Sequence, residues 1–182
     1  QTLSGLLGIL TAPLIHGSLE HIFNNTLPML ILGTLLLYGY PKSRWRVLGT
    51  VWLLSGLGVW LFARQSYHIG ASGLSHGIFF YLLVVSIFRR DKRSVAIMMA
   101  AFFMYGGMTM TIFPREESIS FEYHFFGALA GTLSALLWHK LDPKPKVKTY
   151  EWENQPDTDD PIIGDEWQIE QESNEEPHRN TH

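Results

Sequence analysis

GASGLSHGIFFYLLVVSIFRR, residues 70–90, opens on a serine set between glycines and closes on two arginines. From Ser72 to Phe88 there are 17 residues without a charged side chain, about 25 Å of helix at roughly 1.5 Å per residue. That is shorter than the roughly 30 Å of hydrocarbon in a bilayer. If Arg89 and Arg90 anchor one end at the membrane surface, Ser72 sits about 5 Å inside the opposite boundary. Residues 66–71 must then dip into the membrane to reach it. Irregular backbone at that depth is tolerated only where protein buries it or a water-filled cavity receives it.

Working outward, the same kind of apolar run recurs. Stretches at about 22–40, 47–63, 72–88, 94–113 and 122–139 are of spanning or near-spanning length, too many for the core of a water-soluble domain. Their boundaries alternate in charge. Lys42, Arg44 and Arg46 follow the first, Arg89, Arg90, Lys92 and Arg93 the third, and Lys140, Lys144, Lys146 and Lys148 the fifth, whereas the intervening loops hold only Arg64 and Arg115. The positive-inside rule then predicts that loops 41–46 and 89–93 and the C-terminal tail are cytoplasmic, with loops 64–71 and 114–121 outside. Residues 1–20, interrupted by Gly5, Gly8, Pro13 and Gly17, read as an external segment lying on or dipping into the membrane. The fold class expected is an all-α polytopic membrane bundle: a core over 1–141 and a separate tail over 142–182.

The tail differs in composition. It carries twelve Asp or Glu against four Lys or Arg and five of the nine prolines, a pattern expected to be disordered. The whole-chain net charge of -3 is therefore set by the tail, and no nucleic-acid footprint is visible. The chain has no cysteine, which excludes disulfides, thiol catalysis and thiolate metal sites. It begins with Gln1 rather than Met, and an upstream segment is expected.

Ionisable residues in spans are costly and by default face a cavity in which they work. His16, His21 and Asn25 form H-x4-H-x3-N at the outer end of the first run, the four-residue step putting His21 and Asn25 on one helix face. Gly70 to Gly73 open the third run. His124, Gly127 and Gly131 form H-x2-G-x3-G at the outer end of the fifth. All three groups lie at one membrane depth. A serine hydroxyl needs an adjacent base, and His124 is the natural candidate, since the small residues around both positions permit close helix approach. Glu122, two residues from His124, points elsewhere on a helix, so a Ser72–His124 dyad is the simpler expectation, with no cofactor and no metal.

These three motifs, in this order on three spans, resemble the rhomboid family of intramembrane proteases over about residues 5–140. The resemblance implies Ser72 as nucleophile and His124 as its base. It implies an oxyanion site lined by Asn25, His21 and the backbone at Ser72–Gly73, supported by His16, Gly70, Gly127 and Gly131. It also implies transmembrane protein substrates and, in a bacterial inner membrane, an active site opening to the external side. The family core has six helices, so a first span is expected upstream of Gln1. His76 stands where many members have a tyrosine packed on the catalytic histidine. The loop 114–120 and the end of the fourth helix would form a movable cover. Two other readings compete: a catalytically silent relative that binds membrane clients, and a metal or haem protein using His16, His21, His76 and His124.

Overall fold

The computed structural model describes residues 3–114 and 120–146. By contacts the chain divides into Gln1–Pro145 and Lys146–His182. All elements below belong to the first unit, and the expected disordered tail lies outside the described residues beyond Lys146. The described elements are helical: α1 Leu3–Thr11, a 3-10 turn Ala12–Leu14, α2 Leu19–Gly39, α3 Arg44–Phe62, α4 Ser72–Arg89, α5 Lys92–Tyr105, a 3-10 turn Gly106–Thr109 and α6 Phe121–Trp138. Three of them, α2, α3 and α4, are long and apolar enough to cross a membrane.

Local sequence sets the boundaries. Ser18 caps α2 by accepting from the His21 amide at 3.0 Å, Asp91 caps α5 by accepting from Ser94 N at 3.0 Å, and Ser120 caps α6 by accepting from Tyr123 N at 3.3 Å; each satisfies an amide that the first turn leaves free. The fourth apolar run does not form the continuous helix expected over 94–113. Its α-helix stops at Tyr105, and the Gly106–Gly107 pair passes into a 3-10 turn, because adjacent glycines hold an α-helix poorly.

α4 is the central helix, about two-thirds buried, against about a fifth for α2 and for α3. Leu32, Leu36, Val47, Val51, Ile78, Leu82 and Val85 form the packed interior around it. The outward faces are apolar as well, with Leu19, Phe23, Leu27 and Leu30 exposed along one side of α2. Apolar surface on both sides is the pattern of a helix between a protein core and lipid. The chain is an integral, multi-pass membrane protein.

α4 and α6 pack against each other through glycine. A Cβ on Gly127 would fall on the Gly73 carbonyl oxygen, and one on Gly131 would fall on that of Gly77. Only hydrogen at these positions lets the two backbones approach so closely. The segment before α2 is received by the fold rather than left loose. The Gly70 amide donates to Ala12 O at 2.9 Å, and a Cβ on Gly56 of α3 would meet Ile9 backbone atoms of α1 at 3.0 Å. The irregular loop 63–71 thereby has a protein partner for its backbone.

The opposite end of the bundle carries a buried polar network. Asp142 accepts from Ser43 Oγ at 2.6 Å and from Lys42 N at 2.7 Å, and Ser43 Oγ meets Tyr81 Oη at 2.9 Å. Arg89, 3% exposed, donates to Asp91 and Ser94 at 2.9 Å and to the carbonyls of Asp142 and Pro143 at 2.6 and 3.2 Å. One arginine thus ties the ends of α4, α5 and α6 together.

Candidate active site

Gly70 has φ +99°, the left-handed region that suits glycine, and this turn delivers the chain into α4. Ala71 takes the N-cap position, so Ser72 is the first helical residue and its hydroxyl is not consumed by capping. Ser72 is half-buried. It faces a cavity of about 800 Å³ whose lining also includes His21, Asn25, Ser75, His76, Thr111 and His124.

Two donors converge on the turn before Ser72. A Cβ on Gly70 would lie 2.5 Å from His21 Nε2 and 3.3 Å from Asn25 Nδ2, so both side chains press on the same backbone. Asn25 Nδ2 donates to His21 O at 2.8 Å, which uses one amide hydrogen and leaves the other. His16 packs edge-on against the His21 ring at 5.1 Å. Gly73 packs against the Tyr123 ring, which brings α6 up to the residue next to the serine.

His124, buried on the first turn of α6, is held through Nδ1, 3.0 Å from Thr111 O. A carbonyl only accepts, so Nδ1 carries the hydrogen and the neutral ring keeps a lone pair on Nε2. His76 stacks on His124 with ring centroids 3.9 Å apart and planes within 7°. Its Nδ1 lies 2.7 Å from Ser72 O and its Nε2 2.7 Å from Thr111 Oγ1. Among the described residues no hydrogen bond joins the Ser72 and His124 side chains. Glu122 pairs with Arg64 at 3.2 Å and does not orient His124.

Ser72, His76, His124, His21 and Asn25 thus meet at one cavity, while His16, Gly70, Gly73, Gly127 and Gly131 sit behind it as packing. The four histidines fall into two pairs, and among the described residues no three His, Cys, Asp or Glu side chains are grouped as metal ligands. Sequence reasoning passed over Thr111, which belongs to no motif. His68 belongs to none either, yet it is half-buried and bridges Ser120 Oγ and Arg64 O. A hydrogen-bonding loop residue opposite two histidines leaves no periodic signal, so neither could be found without the fold.

The fold and cavity define a helical membrane domain with a polar chamber at one end of its central helix. The family model described as Rhomboid domain matches residues 4–141, and the chain belongs to the rhomboid family, whose members are typically intramembrane serine proteases. Uncharacterized proteins of Mycobacterium bovis and Mycobacterium tuberculosis are 36% identical over 153 residues, covering 79% of this chain and 63% of each relative. One from Mycobacterium leprae is 34% identical over 152 residues, covering 78% and 60%. The chain therefore spans about three-fifths of the length of these curated relatives. No solved structure matches it.

Proposed function

We propose that the chain is an intramembrane serine endopeptidase that hydrolyses peptide bonds in or near transmembrane segments, with Ser72 as nucleophile and His124 as general base. The observation that carries this reading is the contact of His124 Nδ1 with Thr111 O: a carbonyl only accepts, so the neutral ring keeps its free lone pair on Nε2, in a cavity shared with the Ser72 hydroxyl. In the reaction Ser72 Oγ attacks the scissile carbonyl while Nε2 takes its proton. The negative charge on the carbonyl oxygen is met by Asn25, His21 and the backbone amides of Ser72 and Gly73. His124 then protonates the leaving amine, and water releases the acyl group from Ser72. The dyad requires no cofactor.

Missing hydrogen bonding between Ser72 and His124 favours the silent, client-binding reading instead. Catalytic hydrogen bonds are commonly long in free enzymes and tighten with substrate, so the chemistry of Ser72 decides between the two. A fluorophosphonate probe, which reports an activated serine, is expected to label Ser72 in the parent and not in His124→Ala. Labelling at another serine, or labelling that survives His124→Ala, contradicts the dyad.

The topology proposed with this function has five spans, α2 to α6, preceded by a further span upstream. The tail and the loops 41–46 and 89–93 are cytoplasmic. The cavity opens to the external side of a bacterial inner membrane. The alternating basic clusters support this orientation, and transmembrane proteins and lipid are the partners it implies.

A further inference from the structure

Thr111 lies beyond the 3-10 turn that ends the α5 segment, in neither α4 nor α6, yet it touches both stacked histidines. Its carbonyl accepts from His124 Nδ1 at 3.0 Å, and its hydroxyl stands 2.7 Å from His76 Nε2. The Ser72 carbonyl, 2.7 Å from His76 Nδ1, can only accept, so His76 carries its proton on Nδ1 and Nε2 must receive one from Thr111. The Thr111 hydroxyl also lies 3.1 Å from Met108 O, but it has a single proton and the imidazole contact is the shorter. The two rings, 3.9 Å apart and nearly parallel, therefore hold the same tautomer, His76 through the Ser72 carbonyl and His124 through that of Thr111, and both contact Thr111.

We propose that Thr111 is a positioning residue for catalysis: its carbonyl sets the tautomer and tilt of His124, and its hydroxyl locks His76 as the platform on which His124 stacks. This rests on Ser72 and His124 being the dyad. The hydrogen bond from His76 to the Ser72 carbonyl extends the lock to the first turn of α4. One threonine on the connection between α5 and α6 thus makes the alignment of base and nucleophile depend on where that connection sits. A ring that turns away from Ser72 loses its use as a base even where the protein stays folded.

Two measurements test this, one of which needs no activity. In histidine-specific nitrogen NMR of the whole chain in detergent, His76 and His124 are expected as neutral Nδ1–H tautomers, and Thr111→Val is expected to shift the His76 Nε2 resonance. An Nε2–H tautomer at His124, or no shift at His76 in Thr111→Val, overturns the proposal. In the kinetic arm, Thr111→Val removes the hydroxyl while keeping the branched shape. It is expected to lower kcat and the rate of fluorophosphonate labelling by about 10- to 100-fold, as loss of a partner that orients a working histidine does, with KM nearly unchanged. Thr111→Ser is expected to recover most of the rate, and Thr111→Val to add no further loss in a His76→Phe background. Labelling of the parent with an undiminished rate in Thr111→Val contradicts the proposal alone. A parent that never labels contradicts the dyad itself, and the tautomers then decide whether Thr111 holds the histidines.

Discussion

At the scale of the residue, the chemistry turns on which atoms are left free. His124 Nδ1 and both nitrogens of His76 are engaged, whereas among the described residues His124 Nε2 and the Ser72 hydroxyl have no hydrogen-bond partner, and these are the two atoms a dyad requires. Asn25 and His21 press on Gly70 from one face of α2, beside the turn where the proposed mechanism puts the attacked carbonyl oxygen. Because that oxygen is negatively charged only in the transition state, Asn25→Ala and His21→Ala are expected to lower kcat by about 10²- to 10³-fold with KM nearly unchanged. Steady-state kinetics on a transmembrane substrate check this. A raised KM with kcat intact assigns the side chain to substrate binding or helix packing. The residues meeting at the cavity were legible in the sequence because polar groups at one depth of apolar helices have few other reasons to be there. Thr111 was not legible, since its carbonyl is one that every residue possesses and its hydroxyl reaches His76, 35 positions away in the chain, only through the fold.

At the scale of the element, the site exists because α4 and α6 can touch. Gly131 against Gly77 and Gly127 against Gly73 leave no room for a methyl group, and the obstacle is backbone rather than a side chain that could swing away. Gly131→Ala is expected to destabilise the fold by about 1–3 kcal/mol and to slow cleavage by parting the helices that carry Ser72 and His124. Thermal unfolding in detergent measures the first effect, and an unaltered midpoint contradicts the close packing. The small-residue spacing of H-x2-G-x3-G made this contact readable in advance. The end of α5 was not, because the apolar character of 94–113 runs on through Gly106 and Gly107 while the backbone changes from α to 3-10 there.

At the scale of the whole molecule, two ends do different work. The end with the cavity is joined through histidines, by His68 to Ser120 and by His76 and His124 to Thr111, whereas the opposite end is fastened by Arg89, Asp91, Asp142 and Ser43. Burial pushes the Asp91 carboxyl upward, but hydrogen bonds from Ser94 and the charge of Arg89 outweigh it and hold the group below its ordinary range. A carboxyl depressed in the folded state binds fewer protons there than when unfolded. Its contribution is therefore complete above the ordinary carboxylate range, near pH 4, and is lost as pH falls through the depressed value. Asp91→Asn is expected to flatten the acid limb of the melting temperature measured from pH 7 downward, and a limb of unchanged slope contradicts this. Basic residues at 89–93 announced a membrane boundary, but the network they enter was hidden, because Asp142 lies 99 positions from Ser43 in the chain. The central claim, that a cavity at the outer end of α4 cuts membrane-spanning chains, is tested most directly by incubating the purified chain with a model transmembrane substrate in lipid vesicles. Cleavage in or near the substrate's spanning segment, lost in Ser72→Ala and in His124→Ala while both remain folded, is the predicted result; cleavage that persists in Ser72→Ala, or a folded parent that leaves the substrate intact, contradicts it.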